Sequence, residues 1–121
     1  MSSFLSNKSI TSPVFLAPLA GTTDLPFRNL VNTFGAGLVV SEIIASKELL
    51  SGENSAIKRS QIGNYVENTS VQISGSDSTI MANCAKLCED NGAKIIDINM
   101  GCPAKKIVNG YAGSALMKDL N

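Results

Sequence analysis

Ile95-Ile96-Asp97-Ile98-Asn99-Met100-Gly101-Cys102-Pro103 is the stretch from which the fold can be read. Its first four residues, branched and apolar apart from Asp97, have the composition of a buried strand. The chain then changes character, because Asn99, Gly101 and Pro103 are turn formers with a cysteine among them. A strand that ends in a polar turn carrying a thiol predicts a parallel α/β architecture, in which strands deliver reactive side chains at their carboxyl ends.

Working outward, the same grammar repeats. Val14-Phe15-Leu16-Ala17 reads as a first strand, closed by Pro18 and a loop through Thr23. Asp24 can cap a helix with Pro26 in its first turn, where proline costs little, and the Gly35–Gly37 segment ends it. Leu38-Val39-Val40 is a second strand with Ser41-Glu42 at its end, and Ile43–Leu50 has a helical pattern broken at Ser51-Gly52. A further turn of helix is expected over Asn54–Ser60, and Ser70-Val71-Gln72-Ile73 is a third strand. Ser78–Asn91 places Ile80, Met81, Cys84, Ala85, Leu87 and Cys88 on one face at helical spacing, with Gly92 as terminator. A last helix is expected from near Gly113 through Met117.

The order is four βα units, which implies parallel strands with helices outside them. A closed eight-stranded TIM barrel takes about 250 residues, so the expected fold class is α/β, the N-terminal half of a TIM (β/α)8 barrel. Residues 1–12, polar and Ser-rich, are expected to be a frayed lead-in, and 13–121 the partial barrel domain. A half-barrel leaves two completions open: a missing second half, or self-association.

Composition removes several function classes. Ten basic and ten acidic residues give zero net charge, a poor basis for gripping phosphates unaided. No apolar run approaches the length of a membrane span, and the first ten residues lack the apolar core of a secretory signal. Three cysteines, an odd number, suit free thiols in a reducing, cytoplasmic setting. The absence of histidine removes the commonest general base and metal ligand, so no metal site is expected.

Ligands of parallel α/β folds bind beyond the carboxyl ends of the strands. Those positions hold the Pro18–Gly21 loop, Ser41-Glu42, the Gln72 amide, Asn99 and Cys102. Neutral donors and acceptors, one thiol and one carboxylate suit a planar heterocycle better than a metal or a bare phosphate. Each has a plainer explanation. Pro18–Gly21 can be only a turn, Gln72 an interior amide bonded to backbone, Glu42 a structural partner for a backbone amide or a cation, and Lys105-Lys106 solvated charge. Cys102 is inert unless its electrostatic setting activates it. Cys84 and Cys88, one helical turn apart, are core.

Taken together the segments resemble the tRNA-dihydrouridine synthases, most closely the bacterial B-type subgroup. The resemblance rests on Leu16-Ala17-Pro18-Leu19-Ala20-Gly21-Thr22-Thr23-Asp24-Leu25-Pro26-Phe27-Arg28, Ser41-Glu42, Val71-Gln72-Ile73-Ser74-Gly75, Asp97–Pro103, Lys105-Lys106-Ile107 and Gly113–Asp119. It implies an FMN-binding barrel that reduces uridine to 5,6-dihydrouridine in tRNA, with NADPH or NADH as reductant. It also implies that Pro18, Leu19 and Ala20 line the flavin, that Gln72 bonds its ring, that Asn99 holds the flavin or the target uracil, and that Cys102 is the general acid. In the family the flavin phosphate grip and a helical RNA-binding domain follow in later sequence, so activity is expected only when that remainder is supplied. Leu19 stands where the family commonly has methionine. Two other functions fit the same residues: a truncated, non-catalytic remnant, and a related flavin barrel reducing free pyrimidines, as dihydropyrimidine and dihydroorotate dehydrogenases do. The Ala104-Lys105-Lys106-Ile107 segment resembles the synthases more than those dehydrogenases, and that resemblance implies tRNA.

Overall fold

The computed structural model describes residues 10 and 12–119. The expected lead-in therefore lies almost wholly outside the described residues. The sheet contains β1 (Phe15–Leu16), β2 (Leu38–Val40), β3 (Ile44–Ala45), β4 (Thr69–Ser74) and β5 (Ile95–Ile98), and every pairing is parallel. Helices α1 (Leu25–Thr33), α2 (Ser46–Leu50), α3 (Asn54–Ser60), α4 (Ser78–Asp90) and α5 (Lys105–Val108) alternate with them. This is the α/β arrangement that the alternation predicts. Short 3₁₀ segments occupy Val66–Asn68 and Gly113–Lys118; the second replaces the α-helix expected there.

Five strands fill only four positions in the sheet. β2 and β3 both pair with β4, one beyond the other, with Val40 opposite Ser70 and Ile44 opposite Ile73. Three residues, 41 to 43, thus face two, 71 and 72. The extra residue is a β-bulge, a device that re-aims side chains. Ser41 repairs the ladder: its N–H donates to Ser70 O at 2.9 Å, and its hydroxyl accepts from Gln72 N–H at 2.9 Å. The helix expected over Ile43–Leu50 accordingly begins only at Ser46. Ile44, fully buried, stays in the sheet because its side chain packs into the core beside Ile73.

Alternation along the strands divides the sheet into two unlike faces. Val71, Ile73 and Ile44 pack with Leu49 of α2, Ala56 of α3, and Cys84 and Cys88 of α4. The two cysteines are core, as their helical spacing suggests, and their mutual hydrogen bond together with burial pushes the Cys88 thiol up. The other face carries Ser70, Gln72 and Ser74, with Ile95 opposite Ser70 and Asp97 opposite Gln72.

The helix ends are written in local chemistry. Asp24 caps α1, accepting from Phe27 N–H at 3.0 Å, and Asp77 caps α4, accepting from Ile80 N–H at 2.9 Å. At the far end of α4, Gly92 N–H donates to Glu89 O and Ala93 N–H to Cys88 O, with Gly92 at φ +98°. That paired closure needs a left-handed residue, so glycine is the fitting terminator.

Candidate functional site

The carboxyl ends of β1, β2 and β5, together with the polar face of β4, bring most of the expected site residues into two linked assemblies. The first surrounds Asn99. Its N–H continues the β5 ladder by donating to Ile73 O at 3.0 Å, which anchors it at the sheet's edge. Its side-chain Nδ2 donates to Gln72 Oε1 at 3.1 Å, while its Oδ1 accepts from Cys102 N–H at 3.0 Å and Gly101 N–H at 3.3 Å. Gln72, Asn99 and Cys102, far apart in sequence, are therefore one hydrogen-bonded group. Gln72 is 5 % exposed, and its Nε2 donates to Asp97 Oδ2 at 2.6 Å. One Nε2 hydrogen and one Oε1 lone pair of this amide remain unspent in these bonds.

The loop that carries Cys102 is held from a second side. Ser114 N–H donates to Cys102 O at 3.0 Å, and a Cβ built on Gly113 would lie 2.6 Å from that same carbonyl oxygen. Gly113 also has φ +61°. Gly113→Ala is expected to destabilise the protein by about 2 kcal/mol, through the left-handed backbone and the forced displacement of Cys102. Urea denaturation measures it, and an unchanged midpoint would show that the Cys102 loop is not seated on Gly113. Cys102 itself is half-buried, whereas Cys84 and Cys88 are buried.

The second assembly shapes the loop after β1. Thr22 and Thr23 donate their N–H groups to Leu19 O, and Leu19 N–H donates to Thr23 Oγ1 at 3.0 Å, so the loop closes on itself. Gly21 N–H donates to Glu42 Oε1 at 2.5 Å, the carboxylate displaced by the bulge. Glu42 thus takes the structural part its plainer explanation assigned it. Arg28, 1 % exposed, secures the loop from beneath: Nε donates to Thr23 O at 3.1 Å and a terminal nitrogen to Gln61 O at 2.7 Å. Burial pulls its guanidinium below the ordinary arginine value, while Asp24 and Glu42 pull the other way. In this loop Pro18 is half-buried, and Leu19 and Ala20 are exposed. The Pro18–Gly21 loop is thus held at Leu19 by Thr23 and at Gly21 by Glu42.

Asp97, Arg28 and Gly113 were not singled out as site residues by sequence reasoning. Asp97 carried one usable signal, a carboxylate inside a strand of isoleucines. Arg28 and Gly113 stood inside matched segments with nothing local to mark their roles.

The chain is a parallel α/β protein with polar groups converging at the carboxyl ends of its strands, the place where sheets of this class carry their ligand sites. The chain belongs to the dihydrouridine synthase family, whose model, described as Dihydrouridine synthase (Dus), matches residues 15–121. It is 49% identical over 116 residues to a probable tRNA-dihydrouridine synthase of Rickettsia bellii, covering 95% of this chain and 36% of that protein. It is 51% identical over 116 residues to another of Rhodobacter capsulatus, with the same coverage of 95% and 36%. To the tRNA-dihydrouridine synthase B of Xanthomonas axonopodis pv. citri it is 48% identical over 111 residues, covering 92% of this chain and 33% of that protein. The chain thus spans about a third of the length of these relatives, and its four strand positions agree with the N-terminal part of a TIM barrel.

Proposed function

We propose that this chain supplies the flavin-facing and proton-donating part of an enzyme that reduces uridine to 5,6-dihydrouridine in tRNA. The observation that carries it is the bonding of Asn99 to Gln72 on one side and to the Cys102 backbone on the other. The amide that contacts a ring and the thiol that gives a proton are thereby held in one unit.

The donor set suits the ring of FMN. Gln72 keeps a free hydrogen and a free lone pair on the polar face, and the Pro18, Leu19 and Ala20 loop offers small and apolar side chains for a flat partner. Pro18, Leu19, Ala20 and Gln72 would hold the ring, and Asn99 the ring or the uracil. When bound, FMN supplies hydride chemistry, and NADPH or NADH restores it. Cys102 completes the reduction: as the uracil double bond gains a hydride at one carbon, the thiol delivers a proton to the adjacent carbon and is left as thiolate. A thiol carries a transferable proton and can act as a general acid, which suits it to that role. The target base must leave its stack to reach a site at the strand ends. The relatives' names support tRNA as the carrier of that base.

The test uses the full-length protein with FMN, NADPH or NADH, and unmodified tRNA. Dihydrouridine detected by mass spectrometry in the tRNA, and none formed from free uracil, is the expected result. Reduction of the free pyrimidine alone would overturn it.

A further inference from the structure

We propose that Asp97 is a positioning residue for Cys102, acting through the side chains of Gln72 and Asn99. The three lie in a single file of hydrogen bonds. Gln72 Nε2 donates to Asp97 Oδ2 at 2.6 Å, Asn99 Nδ2 donates to Gln72 Oε1 at 3.1 Å, and Gly101 and Cys102 N–H donate to Asn99 Oδ1 at 3.3 and 3.0 Å. Every bond runs the same way.

The two ends allow no other order. A carboxylate only accepts, and a backbone N–H only donates. The two amides between them could each point either way in isolation. Here, turning either one over would set donor against donor at one link and acceptor against acceptor at another. Asp97 and the Gly101–Cys102 backbone therefore leave each amide one orientation. The loop bearing the thiol is fixed from β4 and β5 rather than by its own turn residues alone. The same file explains why a carboxylate sits between Ile96 and Ile98. A half-buried charge is costly unless it is bonded, and Gln72, directly opposite in register, bonds it. The functional meaning rests on Cys102 as the proton donor; the order of the bonds does not.

Amide hydrogen exchange in the full-length protein tests it, with Val71 and Ile73 in β4 as internal controls. Q72E puts a second carboxylate against Asp97, so two acceptors meet. Exchange at Gly101 and Cys102 is expected to rise about tenfold while Val71 and Ile73 hold. D97N alone is expected to stay within about threefold of the wild type, because its amide oxygen still accepts from Gln72. Combined with Q72E, D97N is expected to restore protection to within about threefold, since the introduced amide now donates to the introduced carboxylate, which still accepts from Asn99. Unchanged exchange in Q72E, or no recovery in the double variant, overturns the proposal. If Q72E fails to fold, D97A decides: it strands the Gln72 donor, and Gly101 and Cys102 exchange must rise about threefold or more with the controls steady. None of these readouts depends on uridine reduction, so a failure of the proposed activity and a failure of the bonded file remain distinguishable.

Discussion

Cys102→Ala in the full-length protein is expected to lower the rate of dihydrouridine formation by a factor of about 10² to 10⁴ while leaving bound flavin in place. The magnitude follows from removing a positioned proton donor, because water must then protonate the carbanion-like carbon from an unheld position. Flavin should remain because the residues proposed to hold it, Pro18, Leu19, Ala20 and Gln72, keep their own supports. The loop rests on Thr23 and Glu42, and Gln72 rests on Asp97 and Asn99. The loop around Cys102 is bonded through its backbone N–H and C=O, which alanine retains. A flavin spectrum and a timed mass-spectrometric assay on the same preparation separate the two effects. Wild-type turnover in the variant would exclude Cys102 as the acid.

The second large effect is on stability. Arg28→Met is expected to cost about 3 kcal/mol, because it removes charge-assisted bonds to Thr23 O and Gln61 O and leaves the buried Thr23 carbonyl unpaired. Arg28→Lys should recover less than half of that loss. A lysine ammonium is a single point of charge and cannot span two carbonyls as a planar guanidinium does. Because Thr23 closes the Leu19 loop, the methionine variant should also bind FMN more weakly than it binds in the Cys102→Ala protein. Chemical denaturation and flavin titration measure the two consequences. A methionine variant as stable as the wild type would show that Arg28 only fills space.

Much of the architecture could be read from residue order. The apolar runs at Val14, Leu38, Ser70 and Ile95, each followed by a turn and then a helical pattern, needed only local propensities and burial periodicity. The Asp24 cap, the Gly92 terminator and the core placement of Cys84 and Cys88 were legible for the same reason: each depends on neighbours within one or two helical turns. The break between β2 and β3 was not legible. A bulge is a mismatch between two strands, and its extra residue shows only once Val40 is opposite Ser70 and Ile44 opposite Ile73. Gly113–Lys118 adopts 3₁₀ geometry for a comparable reason, since it is fitted against the Cys102 carbonyl rather than shaped by its own spacing.

The candidate site divides along the same line. Sequence order by itself determined which chemical groups the strands present: the Pro18–Gly21 loop, Asn99 and Cys102, set by where apolar runs stop, and Gln72, an amide inside one such run. Tertiary structure alone decided who holds whom: Glu42 on Gly21, Arg28 on Thr23 and Gln61, Asp97 on Gln72, and Asn99 between Gln72 and Cys102. The physical reason is range. Strand and turn preferences act between near neighbours along the chain, whereas these hydrogen bonds join groups that become neighbours only when parallel strands fix their register.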